Sequence, residues 1–380
     1  MTAVRSRLMA KLDAAIAAAA ANPIEARCLR AERAGLLARQ GQLEAAKAVI
    51  DELNVQRAWQ PNPPLRAWLA LTEGLHGYYS ALGRGAQARI EQAYLLARGV
   101  GALRRLHALA AAWLANMAFA NDDMPRMAQL AREALDTALP EHHGARARAA
   151  LVAGYAYHFA ADSARAQPWY EASRRHAIAE GDETHLSALM HNQAGMRANQ
   201  ARMALLFDAD GAAADHSAAI GHALMGAESI GHYDAGIGTA SLGSLVPMLR
   251  AQVLTAQGKW ADALALFETH FDAALADGLA RQAPCLLADR AWCEWHGGNA
   301  KKARALVAAA EQALAQDCDI DDRAMAAARL AQVHGALGDK AAAQGHCDAS
   351  KTHYAVHREQ QRRIVALLDE ALAGLDPAQI

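Results

Sequence analysis

Three glycines, Gly258, Gly298 and Gly338, lie 40 residues apart and occupy the same place in a longer pattern. An apolar stretch of helical period precedes each glycine, and a second one follows it, with an alanine five residues after the glycine. Glycine ends helices in a left-handed conformation that other residues adopt only at a cost. A sequence period of this length is typical of stacked helical hairpins. We therefore expect first helices over 244–257, 284–296 and 324–337, and second helices over 260–275, over 300–315 and from 340 onward.

The pattern continues towards the N-terminus, where a helix over 2–21 is expected to cap the array. The first hairpin is predicted at 24–40 and 43–54, with its turn at Gly41, and the second turns at Gly83. Asn and Asp replace glycine in the next turn, at 121–123, and Ala-Asp-Ser forms the one at 161–163. The proline-rich segment 60–64 is predicted to be a loop, because proline bars the continuation of a helix.

The middle of the chain departs from the period, and an enlarged unit is expected at about 184–240. Its first helix is predicted over 184–201 and on to Phe207, followed by a loop over 208–215, a helix near 214–231 and a break at Gly231, Gly236 and Gly238. A long amphipathic helix from about 347 to 375 is expected to cap the other end. A homodimer contact or a partner helix is the alternative use of its apolar side, which carries Ile364, Leu367, Leu368 and Leu372.

Hydrophobic residues make up 53% of the chain but aromatic residues only 5%, since most of the excess is alanine, the strongest helix former. No alternating apolar and polar run typical of a strand is present, so we expect an all-α protein.

The segment 257–267, Gln-Gly-Lys-Trp-Ala-Asp-Ala-Leu-Ala-Leu-Phe, resembles the turn and second helix of the tetratricopeptide repeat, with Ala263 and Phe267 at the packing positions of that family. The period exceeds the roughly 34 residues of the family, the aromatic early in the first helix is missing, and no proline closes the units. Long-period relatives in bacterial regulators and signalling proteins share this looser form. The resemblance implies one domain, 1–380, folded as a right-handed α–α superhelix of about eight hairpins with helical caps at both ends.

Charge and cysteine usage limit the class of partner. The net charge of −2 and the pI of about 6.8 give no electrostatic reason to expect nucleic acid or an anionic membrane. Five scattered cysteines favour a reducing compartment over a disulfide framework. The basic start before an Ala-rich run resembles a signal peptide only weakly, and no apolar stretch reaches the length of a membrane span, so we expect a cytoplasmic protein.

Seventeen histidines raise the question of a metal site. The adjacent His142 and His143 cannot share a helix face, and His353 and His357 lack the intervening glutamate of metalloproteases. Nucleophile motifs, phosphate-binding glycine loops and dinucleotide fingerprints are also lacking. We therefore predict no metal, no cofactor and no enzymatic activity, and we expect a chelator to leave the melting temperature unchanged.

The resemblance implies a concave groove, lined by the first helix of each hairpin, that holds an extended peptide or a partner helix. Amides suit a peptide backbone and tryptophan offers rigid contact area, whereas the alternative is that the aromatic side chains fill the core between helices. The positions that would face the groove are Asn116, Phe119, Tyr155, His158, Asn192, Met196, Asn199, Gln252, Trp292, Trp295 and Gln332.

Two functional hypotheses follow from these residues. The first is a non-catalytic scaffold or regulatory adaptor that binds a protein or peptide whose identity the sequence does not indicate. The alternative is an enzyme or small-molecule sensor with a pocket in the middle of the groove. A buried histidine with a shifted pKa beside a carboxylate in a closed pocket would favour this alternative, and an open groove would favour the scaffold.

Overall fold

The protein is all-α, and the computed structural model describes residues 6–59, 62–81, 86–207, 213–237, 243–316 and 318–380, none of which is in a strand. The α-helices of this described part are α1 (Arg7–Ala18), α2 (Pro23–Arg39), α3 (Leu43–Trp59), α4 (Pro63–Ala81), α5 (Ala86–Ala97), α6 (Arg104–Ala120), α7 (Met124–Thr137), α8 (His143–Phe159), α9 (Ser163–Glu180), α10 (Glu183–Phe207), α11 (Ala213–Ile237), α12 (Leu245–Ala256), α13 (Trp260–Ala276), α14 (Ala283–His296), α15 (Ala300–Leu314), α16 (Ile320–Ala336) and α17 (Lys340–Ala371).

The chain forms two compact units. The first comprises Met1–Met190, Tyr233–Leu242 and Ile364–Ile380, and the second comprises His191–His232 and Gly243–Arg363. Among the described helices, none has an apolar stretch long enough to cross a lipid bilayer.

Hairpins of consecutive helices build the first unit. α2 packs on α3, α4 on α5, α6 on α7 and α8 on α9, and the first helices of successive hairpins, α2, α4, α6 and α8, also pack on one another. Alanine dominates these contacts, because a methyl side chain lets two helix backbones approach closely. The alanines at 110, 111, 112 and 115 of α6 are fully buried, for example. Helices α2, α4, α6 and α8 therefore lie side by side and form one wall of the first unit.

A residue in the left-handed conformation occupies the turn inside each of several hairpins. Gly41, Gly258, Gly298 and Gly338 have φ values of 79°, 74°, 80° and 86°, as the repeat predicts. Where the sequence has no glycine, the chain adopts the same conformation at a non-glycine residue, Asp122 or Ala161, with φ values of 59° and 61°. The predicted turn at Gly83 lies outside the described residues.

Two segments distant in sequence complete the first unit. In α1, the N–H of Leu8 donates to the carbonyl of Gly181 at 2.9 Å, so this helix is tied to the turn between α9 and α10. At the other end of the chain, Ile364, Leu368 and Leu372 are buried in the core of the unit. The apolar side of the terminal helix is thus covered by helices of its own chain.

In the second unit, α12 packs on α13, α14 on α15, and the first helices α12, α14 and α16 pack successively. Asp289 of α14 is nearly inaccessible and lies between two buried arginines. Its Oδ2 accepts from Arg202 at 2.7 Å and its Oδ1 from Arg329 at 2.9 Å. A carboxylate with two guanidinium partners satisfies charge and hydrogen bonding in an interior that could not hold one isolated ion.

Several predicted boundaries differ from the structure. α11 continues through Gly231 and Gly236, because a helix tolerates an internal glycine at a cost of about 1 kcal/mol. It also begins at Ala213, inside the predicted loop 208–215, whose other described residues are helical. The long terminal helix begins at Lys340 rather than near 347, since it is the second helix of the last hairpin, and it ends at Ala371. Pro63 and Pro64 open α4, where a missing N–H costs nothing.

Candidate functional site

A cavity of about 150 Å³ opens on the wall of even-numbered helices in the first unit. Helices α2, α4, α6 and α8 line it together with α1 and the start of α10. We call it the arginine pocket, because three arginines from three helices reach it beside two tryptophans. Its defining residues are Arg39, Trp68, Arg105, Trp113, Arg148, Asp182 and His185.

Helix α1 closes part of the arginine pocket with Leu8 and Leu12, both buried. Lys11 fixes the helix further by donating from Nζ to the carbonyl of Glu180 at 2.8 Å. Gly181 permits this approach, since it has a φ of 79° and a Cβ there would lie 2.9 Å from the Cβ of Arg7. A larger residue at this position would push α1 away from the pocket.

Two of the three arginines have carboxylate partners. Arg39 pairs with Asp182 at 2.7 Å, and the side chains are only 12% and 5% exposed. Arg105 pairs with Glu32, the Nη1–Oε1 distance being 2.6 Å, and its guanidinium lies over the ring of Trp68 at 4.9 Å. These two guanidinium groups are thus neutralised within the protein.

Arg148 is different, because it is buried without a counter-ion. Only 4% of the residue is exposed, and its guanidinium lies over the ring of Trp113 at 3.9 Å. Nη2 is buried without a hydrogen-bond partner, and no carboxylate of the described residues lies within 4.0 Å of the group. Burial lowers the pKa of Arg148, and the charge of Arg39 adds to this effect. Asp182 acts in the opposite direction without contacting the group. Arginine keeps its proton in proteins, so a cation with no carboxylate in contact faces the pocket.

Asp182 connects the pocket to the local fold. It caps α10, since its Oδ1 accepts from the backbone N–H of His185 at 2.9 Å, while its Oδ2 holds Arg39. Burial raises the pKa of Asp182, but the Arg39 guanidinium outweighs burial and holds the value below the usual range. The carboxylate is therefore ionised, and both of its oxygens are engaged by partners within the protein.

His185 and Ser173 superficially resemble a nucleophile and its base, with 2.8 Å between Nε2 and Oγ. Ser173 is fully buried, however, and its hydroxyl donates to the carbonyl of Ala147 at 2.9 Å. Asp182 accepts from the backbone of His185 and not from its ring. Burial lowers the pKa of His185 well below its usual value, and the Arg148 charge acts in the same direction. This group therefore holds α8, α9 and α10 together and is not arranged for nucleophilic attack.

The predicted groove residues of the first unit lie outside the arginine pocket. The rings of Phe119 and Tyr155 contact each other edge to face, with centroids 5.0 Å apart. Asn116 is half-buried and lies close to the side chain of Tyr78. His158 is buried, and its Nδ1 lies 3.1 Å from the hydroxyl of Tyr170.

In the second unit the predicted residues divide into buried and accessible groups. Met196 and Gln252 are buried, and Asn199 donates from Nδ2 to Asp321 at 2.7 Å. The other four are partly or fully accessible; Gln332 accepts from Arg329, and the two tryptophans stack on each other with centroids 5.4 Å apart. These accessible residues are Asn192, Trp292, Trp295 and Gln332.

The pocket residues were not among those predicted from the sequence. Arg148 lies within the segment Ala-Arg-Ala-Ala-Leu. An arginine on an Ala-rich helix is expected to be exposed to solvent, so Arg148 was not predicted to be buried. Nothing in the local sequence distinguishes Arg148 from Arg146, two residues earlier. No protein-family model and no curated protein matches the chain.

Proposed function

We propose that the protein is a non-catalytic binding protein whose ligand is a small anion held in the arginine pocket. The supporting observation is the buried, uncompensated guanidinium of Arg148. Burying an unpaired charge lowers the stability of a protein by roughly several kcal/mol. A ligand of opposite charge would offset this penalty, which is why a buried arginine without a partner points to an anion site. Carboxylate and phosphate groups match the planar guanidinium through two parallel hydrogen bonds.

The size and walls of the pocket limit the ligand further. A cavity of about 150 Å³ accommodates a molecule about as large as benzene or slightly larger. Leu8, Leu12, Leu36 and Leu75 contribute apolar surface to a lining that also contains carboxylates. These are Glu32, Glu141, Glu180 and Asp182, of which Glu32 and Asp182 pair with arginines. The ligand class is therefore a small organic acid or phosphate with a short apolar part, and a nucleotide is too large.

The structure around the pocket favours this reading over an open peptide groove. A buried histidine with a lowered pKa lies beside a carboxylate in the lining of this pocket, which supports a small-molecule ligand. The arrangement expected for an enzyme or a small-molecule sensor also required a closed pocket. Non-catalytic binding is favoured over catalysis because His185, Ser173 and Asp182 are all engaged in internal hydrogen bonds. No base or nucleophile among them is left to act on a ligand.

The test compares thermal shifts of the wild-type protein and Arg148→Gln with acetate, succinate, citrate and inorganic phosphate. Charge-assisted hydrogen bonds contribute about 1.5–3 kcal/mol each, so the variant should bind at least about tenfold more weakly. Arg174→Gln, which changes an exposed arginine of α9, is the matched control and should bind like the wild type. Without anion, Arg148→Gln should be at least as stable as the wild type, because it removes an unpaired buried charge.

Two results would contradict the proposal. One is that none of the four anions raises the melting temperature of the wild type. The other is that they raise it equally in Arg148→Gln. A large loss of stability in the anion-free variant would indicate instead that Arg148 supports the fold through its contact with Trp113.

We also propose that the chain folds as a tetratricopeptide-like superhelix. The packing of alternate helices on one another, together with the 40-residue period, supports a tetratricopeptide-like right-handed superhelix of about eight hairpins. An elongated scattering profile is expected, and a compact globular one would contradict it. Cytoplasmic location remains our expectation.

Recognition of a protein or peptide is favoured by one observation in the second unit. Trp292 and Trp295 stack on each other, His296 stacks on Trp260, and these rings remain partly accessible. Rigid aromatic groups of this kind carry much of the binding energy at interfaces. Replacing both Trp292 and Trp295 by alanine should abolish capture of a partner from the native cell extract. The double change Asn192→Ala and Asn199→Ala should weaken partner binding roughly tenfold or more and barely alter stability. Normal capture by both variants would exclude this surface.

A further inference from the structure

Three side chains from three helices of the second unit converge on one point. They are Glu311 of α15, His334 of α16 and His346 of α17. The Nε2 atom of each histidine lies 3.0 Å from Oε1 of Glu311, and all three atoms lie within 4.8 Å of one another. Two imidazoles and a carboxylate presenting one atom each are the donor set of many zinc and other transition-metal centres.

The spacing of these atoms is close to what a metal ion requires. A tetrahedral zinc ion with bonds of about 2.0–2.1 Å holds its ligand atoms about 3.3 Å apart. The two measured histidine–glutamate distances of 3.0 Å differ from this by a few tenths of an ångström. The third distance, between the two Nε2 atoms, is at most 4.8 Å.

The two imidazole rings are already oriented. They stack with centroids 5.3 Å apart and an angle of 15°, so both Nε2 atoms face the glutamate. Behind His334, Oδ2 of Asp339 lies 3.9 Å from Nδ1. Asp339 is itself fixed, because its Oδ1 accepts from the N–H of Ala342 at the start of α17. A carboxylate that accepts from a metal-binding imidazole is the usual outer partner of such ligands; at 3.9 Å Asp339 lies near this position without making the hydrogen bond.

The position of the cluster leaves room for a further ligand. The side chain of Glu311 is 40% exposed, whereas those of His334 and His346 are 12% and 19% exposed. Solvent therefore reaches the carboxylate side, where water would be able to complete the coordination of a bound ion. Hydrogen bonds from two neutral imidazoles to one carboxylate oxygen are the alternative explanation of the same distances, and the two explanations differ in their response to added metal.

We propose that Glu311, His334 and His346 bind one divalent transition-metal ion, with zinc as the ion that this donor set favours. The ion would link α15, α16 and α17 and stabilise the second unit. Imidazole nitrogen selects zinc over magnesium and calcium, which prefer oxygen ligands. This inference does not depend on the proposed anion site, which lies in the first unit.

The experiment uses the full-length protein after treatment with a chelator. Zinc chloride is titrated against it in a calorimeter and in a thermal-shift assay, with magnesium chloride as the ion control. We expect one zinc ion per chain at micromolar or lower dissociation constant, a rise in the melting temperature, and no response to magnesium. His334→Ala and His346→Ala should each weaken zinc binding at least tenfold.

Two further variants keep the test decisive. Glu311→Gln retains the shape of the side chain and removes its charge, so it should bind zinc more weakly even if an alanine variant fails to fold. His222→Ala changes an exposed histidine of α11 in the same unit and should bind zinc like the wild type. Stoichiometric binding that survives in Glu311→Gln and in both His variants, or the absence of a one-to-one zinc complex in the wild type, would overturn the proposal.

Discussion

Gly74 of α4 offers the sharpest test of how closely the helices of the first unit pack. A Cβ built at Gly74 would lie 2.4 Å from Cγ1 of Ile90 and 3.2 Å from the carbonyl oxygen of Ala86, both on α5. Ile90 is fully buried, so its side chain has no free space to enter. We therefore predict that Gly74→Ala forces α4 and α5 apart and destabilises the first unit.

The magnitude follows from two opposing terms. Carbon atoms in good contact lie about 3.5–4.0 Å apart, so the new methyl group is more than about 1 Å too close. Overpacking of this kind typically costs about 1–3 kcal/mol, whereas replacing a helical glycine by alanine contributes about 0.8–1.0 kcal/mol of helix propensity. The net loss in the free energy of unfolding should be about 0–2 kcal/mol, so the clash is best measured against a control that has the same gain in propensity.

Gly77, one turn later in α4, is the matched control. Its added Cβ would meet the Cβ of Ala86 at 3.7 Å, an ordinary contact. Because the propensity gain is the same in both variants, the difference between Gly74→Ala and Gly77→Ala isolates the clash and should be about 1–3 kcal/mol. Urea denaturation followed by circular dichroism measures it. In an Ile90→Ala background, Gly74→Ala should cost much less, since the obstructing atoms are gone. Equal stability of the two glycine variants would refute the reasoning.

Two further predictions concern buried charge. Asp289→Asn should lower the free energy of unfolding by about 3–5 kcal/mol in a denaturant titration, because it leaves two buried guanidinium groups without a counter-charge, and a loss below about 1 kcal/mol would contradict this account. His185 has a folded pKa depressed by burial, so the unfolded chain binds the proton more readily and stability falls as the pH drops below the unfolded value of about 6.5. Between about pH 7.5 and about pH 5.5 the wild type should lose stability faster than His185→Gln, by at most about 1.4 kcal/mol per pH unit, and parallel curves would show that His185 is not the titrating group.

The sequence by itself determined the helical class and much of the local order. The expected helix over 260–275 is observed as Trp260–Ala276, and the expected turn at Gly258 has the left-handed conformation. These features are local, because helical periodicity and glycine turns involve residues only a few positions apart. The period was even strong enough to indicate the turn at Ala161, where the residue type alone gave no sign.

Only the tertiary structure determines which polar side chains contact one another. Arg148 and Arg39 are 109 positions apart, and only the packing of α8 and α2 on the same wall makes one an unpaired cation and the other half of an ion pair. The prediction that no metal is bound considered only histidines close together in the sequence, such as His353 and His357. The nitrogen and oxygen atoms of His334, His346 and Glu311 come together from positions 23 and 35 residues apart, a separation no local motif records.

The physical reason lies in the alanine content. In a chain where alanine fills both the interior and much of the surface, hydrophobic contrast along a helix is weak, so the pattern marks where helices are but not which side faces inward. Asn199 illustrates this, because its position in the sequence gives no sign of Asp321, the residue with which the fold pairs it. Helix positions are encoded by neighbours in sequence, whereas the environment of each polar side chain is set by neighbours in space.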